Sequence, residues 1–236
     1  MSIEATALRY LDRDSVLYMA MIAPIKKGNA QILYAGFDGV FMKEVESGVY
    51  MITMECFDKA KKLLDTVVKI EHICAYRKDI ADYLYAEREY KKYVENVQTA
   101  YMKKEHVEIS SDVPLIRQLG IEYLDLVHEN YRNHLSYDYL KRRIECGALY
   151  GGFVGDELCG FVGIHVDGSV GIMKVFEKFR GRGFATAFEG SIINIMIEKG
   201  EVSFSQIEFD NEASIGLHKK LGFEISGRTL YRLINW

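Results

Sequence analysis

Arg180-Gly181-Arg182-Gly183-Phe184-Ala185 sets two arginines and two glycines at the start of an apolar helical pattern. Directly before it, Gly171-Ile172-Met173-Lys174-Val175 reads as a short strand. Strand, glycine loop and helix start together present consecutive backbone N–H groups to a phosphate. Glycine lets the main chain approach closely, and the helix N-terminus adds partial positive charge. The chemistry these residues point to is the holding of a phosphorylated ligand. A second glycine-rich run, Gly151-Gly152-Phe153-Val154-Gly155, is followed by strand-like residues, so it reads as strand and turn. Gly181-Arg182-Gly183 does not extend to G-x-G-x-x-G, because Thr186 stands at the third position, and no Gly-Lys-Ser/Thr ending is present. A dinucleotide fingerprint and a Walker loop are both disfavoured.

The elements that must position this loop can be read around it. Ala148–Val154, Glu157–Val166 and Val170–Val175 are strand candidates, with Asp167-Gly168-Ser169 a hairpin turn between the last two. Beyond the loop, Phe184, Phe188, Ile192, Ile195 and Met196 form one apolar face of a helix from about 184 to 199, ending near Gly200. A strand at Ser203–Phe209, a helix at Asn211–Leu221 closed by Gly222 and a final pair of strands through Trp236 follow. Upstream, Val107-Glu108-Ile109 is a short strand candidate. Asp112 to Cys146 holds two or three helices, with Ser136 as the cap of Tyr137–Glu145.

Earlier in the chain, Leu33-Tyr34-Ala35-Gly36-Phe37-Asp38-Gly39 matches Leu149-Tyr150-Gly151-Gly152-Phe153-Val154-Gly155 in its Leu, Tyr, Gly, Phe and Gly, an offset of 149 − 33 = 116 residues. Two apolar runs follow each copy. In the first they are Val40-Phe41-Met42 and Val49 to Met54, joined through Ser47-Gly48. The pattern reads as a tandem duplication, or as two unrelated halves that both use a meander. After its last strand the first copy continues Glu55-Cys56-Phe57-Asp58-Lys59-Ala60, a helix start with Asp58 as cap and no glycine. Only the second copy keeps the ligand loop. Between the copies, Lys78 to Glu105 is helical in composition, and Tyr83, Tyr90, Val94, Val97 and Tyr101 fall near one face. That stripe reads as a packing surface between halves or subunits.

The whole chain supports a soluble, cytoplasmic protein. Its 236 residues are 49% hydrophobic and 27% charged, with two prolines and a formal net charge of −4. That balance fits one large domain or two small ones and argues against a nonspecific grip on nucleic acid. Cys56, Cys74, Cys146 and Cys159 form no C-x-x-C pair, so neither zinc ligation nor a disulfide framework is expected. No stretch approaches the length that spans a bilayer, and no membrane or metal partner is expected.

From about Val107 to Trp236 the chain resembles the GNAT superfamily of acyl-CoA-dependent N-acyltransferases. The family's Q/R-x-x-G-x-G/A loop is met by Arg180 to Ala185. Its later N-x-x-A-x-x-L-Y-x-K-L-G-F pattern is approached by Asn211-Glu212-Ala213-Ser214-Ile215-Gly216-Leu217-His218-Lys219-Lys220-Leu221-Gly222-Phe223. The resemblance implies an α/β (α+β) fold, with a mixed, mostly antiparallel central sheet flanked by helices. It implies two domains in tandem: residues 1–105 a degenerate copy without the loop, and 106–236 the acyl-CoA-binding catalytic domain. The tandem arrangement resembles the glycine N-acyltransferase-like branch.

The same resemblance assigns roles. The main chain of Met173, Lys174 and Val175 would pair with the pantetheine arm of acetyl-CoA or a related acyl-CoA. Backbone N–H groups of Arg180, Gly181, Arg182, Gly183, Phe184, Ala185 and Thr186 would cradle the pyrophosphate, and Asn211 would bond the pantetheine or simply cap its helix. His218 stands where many relatives carry a tyrosine that protonates the departing thiolate. It shares a helix face with Ser214, Leu217 and Leu221, so it points inward, as a catalytic imidazolium or as a core histidine. Glu208 is the candidate base, with His165 and Asp167 in reserve and Glu177 exposed. The expected reaction is direct acyl transfer to a small-molecule or peptide amine, by a monomer or a homodimer. The alternatives are a noncatalytic acyl-CoA-binding or regulatory protein and an interaction module.

Overall fold

The computed structural model describes residues 1–110, 113–131 and 135–235. In chain order the first elements are helices α1 (Ile3–Leu11) and α2 (Met19–Lys27), then strands β1 (Ala30–Gly36), β2 (Gly39–Glu44) and β3 (Tyr50–Met54). Helix α3 (Phe57–Leu64), strand β4 (His72–Ala75), helix α4 (Lys78–Arg88) and strands β5 (Lys92–Ala100) and β6 (Leu115–Gln118) follow. Then come α5 (Leu124–Tyr131), α6 (Tyr137–Glu145), β7 (Leu149–Val154), β8 (Glu157–Gly163) and β9 (Lys174–Val175). The chain finishes with α7 (Phe184–Glu198), β10 (Phe204–Glu208), α8 (Glu212–Leu221) and β11 (Glu224–Ile234). Apart from β6, one order occurs twice: two helices, three strands, helix, strand, helix, strand. No helix among the described residues is long and apolar enough to cross a membrane.

The chain separates into two compact units, and they do not follow a cut after residue 105. One comprises Met1–Ala100, Gln206–Gly216 and Glu224–Trp236; the other comprises Tyr101–Ser205 and Leu217–Phe223. The reason lies in β11, which pairs antiparallel with both β4 and β5 and so becomes an interior strand of the first unit's sheet. Its Leu230 and Leu233 are fully buried there, and Leu233 joins the core formed by Phe41, Ile52, Met54 and Leu84. The sheet runs β1-β2-β3-β4-β11-β5-β10, in which β3 and β4 pair parallel while β1–β2, β2–β3, β4–β11 and β11–β5 pair antiparallel. The expected final pair of strands is one strand, whose register shifts between Ile225 and Thr229.

The expected helix over Lys78–Glu105 stops at Arg88. Glu89 takes a left-handed conformation, φ 51°, and the next segment is β5. Its Tyr93, Val94, Val97 and Thr99 are β-branched or aromatic and prefer a pleated surface, which the helical spacing of the tyrosines concealed. Tyr83 and Tyr90 pack into the first unit's own core. Asp58 is not a cap; Cys56 is the cap residue of α3, and Asp58 lies in the first turn. The matched heptapeptides both lead from a strand into a turn, but the turns differ in place. Gly36 pairs with Gly39 around Phe37-Asp38, whereas Val154 pairs with Glu157 around Gly155-Asp156.

The second unit is built on an antiparallel four-stranded sheet of order β6-β7-β8-β9. Ser136 caps α6 as expected, its hydroxyl accepting from Tyr139 N–H at 3.3 Å. Asp112 and Trp236, which the sequence reading placed at element ends, lie outside the described residues. Val107–Ile109 forms no strand; the Asn194 side-chain amide satisfies the Val107 N–H (2.8 Å) and C=O (3.0 Å) in a strand's stead. Of the expected Val170–Val175 strand only Lys174–Val175 is regular, with an isolated bridge between Ile164 and Val170. Helix α7 lies close to the sheet because β7 and β8 carry glycine beneath it. A Cβ on Gly152 would strike the Phe188 ring, and one on Gly160 would come within 2.8 Å of it. Phe188 is fully buried on that seat, together with Ile192 and Met196. The seat sets where α7 begins.

Candidate functional site

Two residues of β9 border the site. Lys174 and Val175 pair with Phe161 and Gly160 of β8, and Phe176 N–H extends the pairing to Cys159 C=O at 2.9 Å. In the four-stranded sheet β9 is the edge, so one side of this short strand presents main-chain groups without a sheet partner. An extended ligand rich in amides can add to such an edge as a strand does. Met173 lies just before it, and its main chain is bonded by the Tyr131 hydroxyl.

From this edge the chain makes one 3-10 turn, Glu177–Phe179, and enters the glycine loop. Arg180 is extended, Gly181 has φ 74° and Gly183, the cap residue of α7, has φ 78°. Left-handed backbone at these positions strains any residue with a Cβ. Around both glycines the space a Cβ would enter is open, so backbone conformation and not crowding selects them. No side chain caps α7 and no acidic residue stands in its first turn. The leading N–H groups of a helix have no intrahelical acceptor, and here the helix dipole stands behind them. This is the geometry of an anion cradle.

The two arginines differ in their attachments. Arg180 donates through Nη1 to Glu177 at 3.4 Å and through Nε to the Val175 carbonyl at 3.4 Å, which ties its exposed guanidinium to the end of β9. Arg182 lies 4.9 Å from the Phe184 ring centre and 5.9 Å from that of Phe179, and these two rings stack 6.2 Å apart. The aromatic faces hold its cation beside the loop. Phe184 is buried and anchors the start of the helix, while Ala185 and Thr186 are half-buried.

His218 points inward, as its helix face required, and is only 4% exposed. Its ring lies on Phe223 with centroids 4.1 Å apart. Its Nε2 stands 3.7 Å from Oε1 of Glu189 on α7, a distance that couples the two groups and exceeds a hydrogen bond. Burial drives both toward neutrality: the Glu189 carboxyl is pushed up to about 7 and the His218 imidazole down to about 4. Between about pH 4 and 7 the imidazole is therefore uncharged and the carboxyl keeps its proton. Glu189 escaped the sequence reading because it sits within an apolar helix. Its spacing from Phe188, Ile192, Ile193 and Met196 on the buried face was the available signal.

The remaining candidates occupy structural positions. Asn211 Oδ1 accepts from Ser214 N–H at 3.1 Å, a helix-capping bond. Glu208 ends β10 with an exposed side chain. Both belong to the first unit, whereas the loop, β9 and His218 belong to the second. His165 Nδ1 bonds the Tyr139 hydroxyl at 2.9 Å, and Asp167 Oδ1 accepts from both N–H and hydroxyl of Ser169. Glu177 is exposed beside Arg180.

Residues 150–233 match the FR47-like protein family. No curated protein matches the chain significantly. Among solved structures, a Drosophila protein aligns with a TM-score of 0.66 at 12% identity, covering 98% of this chain and 95% of its own. An acetyltransferase of the GNAT family from Colwellia psychrerythraea aligns at 0.55 and 16% identity, with 99% and 97% covered. A GCN5-related N-acetyltransferase-like protein from Streptococcus suis aligns at 0.56 and 13%, with 96% and 99% covered.

Proposed function

We propose, from the premise that this chain carries the GNAT fold, that its second unit binds an acyl-CoA and transfers a short acyl group to an amine. One observation carries this reading: two left-handed glycines lead into an uncapped helix N-terminus beside an open strand edge. Backbone N–H groups from Arg180 to Thr186 would hold the pyrophosphate, and Lys174–Val175 would bond the pantetheine amides. Their fit is chemical: Gly181 and Gly183 leave open the space a phosphate would enter. The amine attacks the thioester carbonyl directly, the carbon–sulfur bond breaks, and a proton passes from the amine to the departing sulfur. His218 enters as a neutral imidazole, able to donate its N–H, with Glu189 behind it as the group that holds the proton. The repeated element order supports reading the first half as a duplicated copy that lacks the loop.

Titration calorimetry with acetyl-CoA, followed by a thiol-release assay across an amine panel, tests the proposal. Binding with turnover on at least one amine supports it; no binding of acetyl-CoA or free CoA defeats it. A second reading, a noncatalytic acyl-CoA binder, is favoured by the burial of His218. Binding without turnover on any amine would select that reading.

A further inference from the structure

The first unit contains a cavity of about 450 Å³, well within the size range of small-molecule sites. We propose that it binds a small organic carboxylate. The cavity opens where β3 ends, at Met54 and Glu55, against Tyr10, Arg13 and Asp14 from the end of α1 and the turn after it. Three guanidiniums, those of Arg13, Arg77 and Arg228, line it, and each is paired with a carboxylate: Glu55, Asp79 and Asp14 respectively.

The arginines are not equivalent. Arg77 is spent on structure: Nη1 donates to the carbonyls of Met54 and Glu55, and Nε and Nη2 donate to Asp79. Arg13 engages Glu55 through Nη1 alone, at 2.9 Å, with its guanidinium 4.6 Å over the Tyr10 ring. Arg228 uses Nη2 alone, to Asp14 at 3.1 Å and the Tyr18 hydroxyl at 3.4 Å, and lies 5.6 Å from the Tyr18 ring centre. Each guanidinium carries five N–H donors in a planar fork, so both have donors left to offer a carboxylate.

Arg228 reaches this place through a device built into β11. The register shift spans Ser226 to Arg228, and the Ser226 hydroxyl closes it by accepting from Arg228 N–H (3.1 Å) and donating to Arg228 C=O (3.0 Å). A bulge of this kind re-aims one side chain out of the alternation of the strand. The floor is ordered as well: the Tyr18 hydroxyl meets Thr53 Oγ1 at 3.1 Å, and both residues are buried. With each guanidinium already paired, the spare N–H donors of Arg13 and Arg228 suit a monoanion, which meets less repulsion from Asp14 and Glu55 than a dianion does. Phosphate, mostly a dianion near neutral pH, would face Asp14 and Glu55, and no glycine in the β3-to-α3 junction lets backbone N–H groups approach it.

The test uses the full chain and three probes in titration calorimetry: benzoate, its uncharged isostere benzamide, and inorganic phosphate. Benzoate is expected to bind, with Arg13→Gln and Arg228→Gln each weakening it by about tenfold through loss of a charge-assisted bond. Arg228→Lys, which keeps the charge and loses the fork, is expected to weaken it by a lesser but measurable factor. Both arginines are more than half exposed, so the variants should retain the wild-type melting profile. Equal binding of benzoate and benzamide, tighter binding of phosphate, no binding of benzoate, or unchanged affinity in folded Arg228→Gln would each overturn the proposal. None of these outcomes bears on acetyl-CoA binding by the second unit, which is measured separately.

Discussion

Two strand-to-helix junctions in this chain share a frame and differ in what the backbone exposes. β3 reaches α3 through Glu55 and Cys56 alone, while β9 reaches α7 through Phe176–Gly183. Each helix opens on a phenylalanine, Phe57 or Phe184, and carries a buried alanine three residues later, Ala60 or Ala187. The short junction places Asp58 in the first turn of α3, so the helix dipole is answered from within. The long junction leaves the first turn of α7 without acid or cap and opens it with two left-handed glycines. The geometry that would suit an anion is therefore a property of the longer loop. The strand and helix that carry it are common to both halves.

The seat of α7 offers the strongest way to break this comparison. Phe188→Ala empties a fully buried site over Gly152 and Gly160, and should cost about 3–5 kcal/mol in urea unfolding. A loss below 1 kcal/mol would mean that the glycine seat does not fix the helix.

The buried pair offers the next. The Glu189 carboxyl is raised from 4.5 to about 7, so its stabilising contribution is full below pH 4.5 and is lost as pH rises through 7. The His218 imidazole is lowered from 6.5 to about 4, so its contribution is full above pH 6.5 and is lost as pH falls through 4. Between these limits the two slopes oppose and nearly cancel. Glu189→Gln should unmask stability that rises by roughly 3 kcal/mol from pH 4 to 6.5, and His218→Gln stability that falls by a similar amount from pH 4.5 to 7. Unfolding curves at four pH values would show this; parallel profiles for both variants and the parent would refute a neutral pair.

The loop itself comes third. Gly183→Val forces a β-branched residue into left-handed backbone and fills the open face, so acetyl-CoA affinity should fall about a hundredfold in calorimetry, with the fold retained. The matching change in the first half, Cys56→Val, sits in extended backbone, φ −99°, and should leave that affinity unchanged. The smallest effect is expected from Arg180→Ala, a few-fold loss that shrinks further at high salt, because its exposed guanidinium is already shared with Glu177.

Much of this was legible in the residues. Glycines before an apolar helix announced the left-handed loop and the helix that starts at Phe184, and the inward face of Leu217, His218 and Leu221 was correctly placed by helical period. The Lys78–Glu105 region misled because tyrosines at helical spacing also suit a strand once Glu89 has ended the helix. Glu189 was hidden because a lone carboxylate in an apolar run shows its burial only when a partner helix covers it.

By itself the sequence determined the local pieces: the glycine loop, the helix behind it and the turns between strands. Each of these rests on the backbone preferences of neighbouring residues, which are present before folding. Tertiary structure alone decided that β11 lies between β4 and β5, and that its bulge carries Arg228 to Asp14 and Tyr18. It also decided that Glu189 and His218 share one dry environment. Those outcomes depend on which surfaces meet across long stretches of chain, and local preference does not encode them.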